Sequence, residues 1–163
     1  MSSSSTTKTP LESVQACWAR VSQNSPIYNF LLSDVVLTSA TNGSMVATLP
    51  VSPNHLNSKG VLHGSVSATI VDWAGGMAIA STGLEKTGVS TDIHISYVSS
   101  AKLGDRLVIE ANVTKVGRNM GFTTVTIYTA AAEDGDENKT VVAHGTHTKY
   151  ILRDQPNNAA KGS

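Results

Sequence analysis

The segment from Val66 to Thr82 is the most apolar run in the chain, yet it carries a carboxylate at its centre. Val66, Ile70, Trp73, Met77 and Ala80 recur at helical spacing and make one apolar stripe. Ser65, Thr69, Asp72 and Gly76 make a second stripe that is small or polar, and Val71, Ala74, Ala78 and Ile79 fill the flanks with apolar surface. Such a helix has almost no face for water, so the remainder of the chain must be wrapped around it. Its small stripe predicts a close neighbouring surface at a subunit contact. Asp72 needs a reason to be there, because a buried carboxylate is costly unless it is paired, hydrogen-bonded or neutralised.

The elements on either side supply the wrapping. From Leu11 to Val21, Leu11, Val14, Cys17, Trp18 and Val21 predict an amphipathic helix. Pro26 starts a short turn, and β-branched runs from Phe30 to Ser39 and from Ser44 to Leu49 flank the Asn42-Gly43 turn signal of a hairpin. After Gly83 the pattern changes to period 2: Val89, Thr91, Ile93, Ile95 and Tyr97 point one way, and Ser90, Asp92, His94 and Ser96 the other. Strands follow over 105–116, 121–131 and 141–152, joined by a turn at Gly117 to Met120 and an acidic loop over 133–139. The expected fold is α+β: a single domain over 11–152, with about six antiparallel strands around one long buried helix and loose tails at 1–10 and 153–163.

Composition removes several classes of function. The 163 residues, 40% hydrophobic, are enough for one domain with a substantial core. Twelve basic and twelve acidic residues cancel without a Lys/Arg cluster, which argues against nucleic acid or an anionic membrane as partner. The one cysteine, Cys17, excludes an internal disulfide and fits a reducing compartment. Asp72 at its centre speaks against the apolar helix as a membrane span. The first ten residues hold neither an apolar signal core nor arginine, so the expected location is cytoplasmic, with mitochondria as the alternative. Metal chemistry is not expected: His144 and His147 fall on opposite faces of a strand, and Asp134, Asp136 and Asn138 start a calcium-like loop whose required glycine and glutamate are absent.

Several motifs agree at once. His55-x-Asn57, Leu62-His63-Gly64, Asp72, Gly88-Val89-Ser90, Ala101-Lys102-Leu103-Gly104 and His144-Gly145-Thr146-His147-Thr148-Lys149 stand at spacings that resemble hotdog-fold acyl-CoA thioesterases. The resemblance is to the thioesterase superfamily member 2 (acyl-CoA thioesterase 13) type, related to bacterial phenylacetic-acid-pathway thioesterases, and spans about residues 11–152. It implies a hotdog fold, hydrolysis of an acyl-CoA to acid and coenzyme A without a cofactor, and catalytic positions at Asn57, Gly64, Asp72 and Ser90. One departure stands out: Ser65 replaces the glycine usual after His-Gly, which alters the room near the thioester.

Each of these residues has chemistry that fits. Gly64 opens the helix, so its N–H is an unpaired donor at the positive end of the macrodipole, suited to an oxyanion; the plainer reading is an ordinary helix start. Asp72 can be a general base or a nucleophile, and the sequence does not separate them. Asn57 can hold water or the carbonyl, or only shape its turn. Ser90 can position water, and with no G-x-S-x-G elbow it is not expected to be a nucleophile. His63 and Ser65 would line the substrate site, His63 as an orienting group, while Lys102, Arg118 and Lys149 are candidates for the coenzyme A phosphates. Trp73 is either a pocket wall or a core residue.

Gly64 and Asp72 are eight residues apart, about 12 Å along one helix, too far to act on one carbonyl. Two antiparallel helices about a twofold axis would solve this, so a homodimer sharing two sites is expected, with a dimer of dimers as the larger assembly. The rival reading is an acyl-CoA or fatty-acid binding hotdog protein without turnover. A hydratase of the same fold lacks its Asp-x-Asn-Pro-x-His-like stretch here.

Overall fold

The chain enters its first helix through a capping box that the periodicity alone does not reveal. In the computed structural model, which describes residues 8–130 and 139–152, the Thr9 hydroxyl accepts from the Glu12 N–H while the Glu12 carboxylate accepts from the Thr9 N–H at 2.7 Å. Helix α1 then runs Pro10–Asn24 and sends Val14 and Cys17 into the core. Ser25 ends α1 and caps α2, Pro26–Leu32, with Pro26 at its first turn. Phe30, expected at the start of a strand, is therefore helical. A local cap and an N1 proline outweigh the strand preference of the run that follows.

Six strands follow: β1 Val36–Thr41, β2 Ser44–Pro50, β3 Val89–Tyr97, β4 Arg106–Val116, β5 Met120–Ala130 and β6 Thr140–Tyr150. All neighbours are antiparallel, in the order β1-β2-β4-β5-β6-β3. Gly43, at φ +84°, makes the Asn-Gly turn between β1 and β2 possible. Residues 133–138 of the acidic loop, with the calcium-like pattern up to Asn138, lie outside the described residues.

Between the hairpin and β3 lies α3, Gly64–Ala80, packed across β4, β5 and β6. Its buried side chains, among them Ile70, Val71, Trp73, Ala74 and Ala78, meet Met45, Ala47, Leu107, Ile109, Val125 and Ile127 from the inner face of the sheet. This is the expected arrangement of a sheet around one long helix. Trp73 is 1% exposed and meets Trp18 edge-on at 5.5 Å, so its place is the core.

The small stripe of α3 behaves differently along its length. Ser65 is exposed and Thr69 and Asp72 are half-buried, but Gly76 is buried against Thr87 of its own chain rather than open to another subunit. The crowded glycine is its neighbour. A Cβ on Gly75 would stand 2.7 Å from both His147 Nδ1 and Thr123 Oγ1, whereas one on Gly76 would meet Thr87 Oγ1 at an ordinary 3.6 Å. Gly75→Ala is thus expected to destabilise by about 1–3 kcal/mol through overpacking, less whatever the better helix former returns. Gly76→Ala should be neutral or stabilising by up to about 1 kcal/mol. Urea denaturation of the two variants checks this, and equal midpoints would contradict the packing described.

Candidate active site

The position of Ser90 depends on a bulge. Along β3 the pairing with β6 runs Ser90 to Lys149, then Asp92 to Thr148, so Thr91 is the extra residue. A bulge of this kind changes which face the side chains take. Asp92, His94 and Ser96 keep to the outer face, but Ser90 turns inward toward α3, contrary to the single polar face that strict alternation predicts. Gly88 makes the approach possible: it sits at φ +81°, and a Cβ there would lie 2.1 Å from the Tyr150 carbonyl oxygen.

Turned this way, the Ser90 hydroxyl donates to Asp72 Oδ1 at 3.1 Å. Two further side chains join them that the sequence reading left out. The Tyr28 hydroxyl donates to Asp72 Oδ2 at 2.5 Å, and His147 Nε2 lies 2.9 Å from Ser90 Oγ and 3.6 Å from Asp72 Oδ1. His147 is fully buried, and burial holds its pKa down at about 4, with Lys149 acting the same way and Asp72 opposing. It is neutral at neutral pH, so its contact with Asp72 is no ion pair. With the Ser90 proton directed to Asp72, His147 donates Nε2–H to Ser90. The Asp72 side chain remains 32% exposed, which lets water reach the carboxylate.

The second group gathers at the start of α3. His63 is the N-cap, its Nδ1 accepting from the Ser65 N–H at 3.1 Å and standing 2.8 Å from Ser65 Oγ. The His63 carbonyl accepts from Val66 N–H, while the Gly64 N–H has no partner among the described residues. Tyr97 closes over this turn, donating its hydroxyl to the Gly64 carbonyl at 3.2 Å, and a Cβ on Gly64 would crowd the Tyr97 ring at 3.3 Å. Asn57 Oδ1 accepts from the N–H groups of Lys59 and Val61, so it does shape its turn; Nδ2 is left as the donor. His55 is buried and structural. It donates Nε2–H to the Leu31 carbonyl at 2.7 Å and accepts at Nδ1 from the Ser52 N–H, tying α2 to the loop.

The fold therefore brings Asp72 and Ser90 together, and separately brings Gly64, His63 and Ser65 together with Asn57 upstream of them in the same loop. Within one chain the two groups stay about eight helical residues apart. Of the residues considered for phosphates, Lys102 and Arg118 are exposed. Lys149 is not: it is 6% exposed on the inner face beside His147, with burial holding its pKa down. A surface phosphate does not fit that position. Its signal was available in the strand parity, since His147 and Lys149 share one face of β6.

Residues 59–150 match the family model described as Thioesterase superfamily. Acyl-coenzyme A thioesterase 13 of Homo sapiens is 37% identical over 121 residues, 74% of this chain and 82% of that protein. Among solved structures, zebrafish thioesterase superfamily member 2 superimposes with a TM-score of 0.76 at 35% identity, over 89% of this chain and 99% of that one. A Streptococcus mutans protein bound to acetyl CoA gives 0.65 at 28% identity, over 75% of this chain and 91% of that one. The chain belongs to the Thioesterase superfamily, the thioester hydrolases of hotdog fold. Among the described residues no helix is long and apolar enough to cross a membrane.

Proposed function

We propose that this protein hydrolyses an acyl-CoA thioester to a free carboxylic acid and coenzyme A, at sites shared between the two subunits of a homodimer. The observation that carries the reading is the division of the site along α3: a Gly64 N–H without a partner among the described residues at one end, and a solvent-reached carboxylate held by Ser90 partway along. Gly64 N–H and Asn57 Nδ2 of one subunit take the thioester oxygen and hold the charge that grows on it. Asp72 of the other takes a proton from water oriented by Ser90, and that water oxygen bonds to the thioester carbon. The tetrahedral intermediate then expels the sulfur, which leaves as coenzyme A and recovers the proton. No cofactor is needed beyond the coenzyme A of the substrate.

Strand β3 supports the twofold arrangement. It is one of the two edges of the sheet, with Val89 and Tyr97 more than half exposed. It also touches both groups: Ser90 reaches Asp72 and Tyr97 reaches Gly64. Two copies of β3 paired antiparallel would set the Tyr97 end of one beside the Ser90 end of the other, and with them Gly64 beside Asp72. Two such dimers are the larger assembly we expect. Names of relatives agree with the substrate class: the human one is an acyl-CoA thioesterase, and the Streptococcus mutans one was crystallised with acetyl CoA.

Thiol release from a panel of acyl-CoAs tests the activity, and tight binding without release would favour a carrier. Complementation tests the sharing. Asp72→Ala and Asn57→Ala chains, each inactive alone, are refolded together; heterodimers then hold one site with both lesions and one intact. About a quarter of wild-type activity should return from random pairing. Verified heterodimers as inactive as either parent would exclude a shared site.

A further inference from the structure

Helix α2 brings to Asp72 a group that the sequence pattern does not mark. The hydroxyl of Tyr28 donates to Oδ2 while that of Ser90 donates to Oδ1, so each carboxylate oxygen has its own donor, from elements 44 and 18 residues away. A carboxylate tied through one oxygen can still swing about its side-chain torsions. Tied through both, its plane is fixed, and with it the direction of the remaining lone pairs. Tyr28 is itself held. Its N–H donates to the Ser25 hydroxyl, and its half-buried ring lies 6.3 Å from that of Trp18, which in turn meets Trp73 on α3.

We propose that Tyr28 is a positioning residue for the reaction, fixing the carboxylate of Asp72 so that a free lone pair faces the attacking water. The phenol is suited to this because it stays a donor: burial, then its bond to Asp72, push its pKa up, well clear of neutral pH. Its role rests on the hydrolysis proposed above.

Tyr28→Phe removes one oxygen and leaves the ring. A hydrogen bond to a charged group is expected to matter here by about 10- to 100-fold in kcat, with KM for the acyl-CoA within about twofold. In an Asp72→Asn background the same change should leave the residual rate within about twofold, because its benefit passes through the carboxylate. A folded Tyr28→Phe enzyme with wild-type kcat overturns the role, as does an equal fold-loss in both backgrounds. A wild-type protein that releases no thiol from any acyl-CoA overturns the hydrolysis itself and the role with it, so the two failures are told apart by the wild type.

Discussion

Asp72→Asn is expected to lower turnover of an acyl-CoA by about 100-fold or more while leaving binding in place. The amide has nearly the shape of the carboxylate but cannot take a proton from water at neutral pH. Nor should the fold suffer. The side chain is about one-third exposed, its neighbours Tyr28 and Ser90 are hydroxyls that can donate or accept, and His147 beside them is neutral. Thiol release should fall in kcat, calorimetric binding of a non-hydrolysable acyl-CoA analogue should be retained, and circular dichroism should match the wild type. Near-normal turnover in the folded variant would remove Asp72 from the chemistry.

How far this site could be read from the sequence depends on how far apart its parts lie. Helix α3 was legible because a sustained apolar pattern admits few alternatives, and an acid within it stands out. The loop before it was legible too, since Asn57, His63 and Gly64 are close together in the chain. Ser90 was found as a residue but assigned to the wrong face, because alternation carries no sign of the single extra residue at Thr91. Tyr28 sits in a seven-residue helix fixed by a cap, with too few turns to show a period. His147 was placed correctly on the face opposite His144, yet the partner that makes it matter, Ser90, is 57 residues away. These last contacts belong to tertiary packing, which no local pattern records. The same holds for Gly76, whose lack of a side chain suits a subunit contact and an intrachain contact equally well.

His147 should make the protein lose stability in mild acid. Its ordinary pKa of 6.5 falls to about 4 in the folded protein, chiefly because it is buried, so the unfolded chain takes up a proton in this range that the folded one refuses. The stability tied to the neutral imidazole is fully present above pH 6.5 and is lost as the pH falls toward 4. Below that both states are protonated and the loss stops growing. A shift of this size amounts to about 3 kcal/mol at its limit, or about 2–3 kcal/mol by pH 4.5. Lys149, also held low by burial, acts in the same sense only in the alkaline range, and so does not enter this window. His147→Gln keeps a donor for Ser90 but does not titrate. Urea unfolding at pH 7.5 and 4.5 should therefore show the wild type losing about 2–3 kcal/mol more than His147→Gln between the two conditions, whatever the variant's stability at pH 7.5. Equal losses in both proteins would mean that this imidazole is not held neutral by the fold, and the direction of the hydrogen bonds from His147 through Ser90 to Asp72 would have to be redrawn.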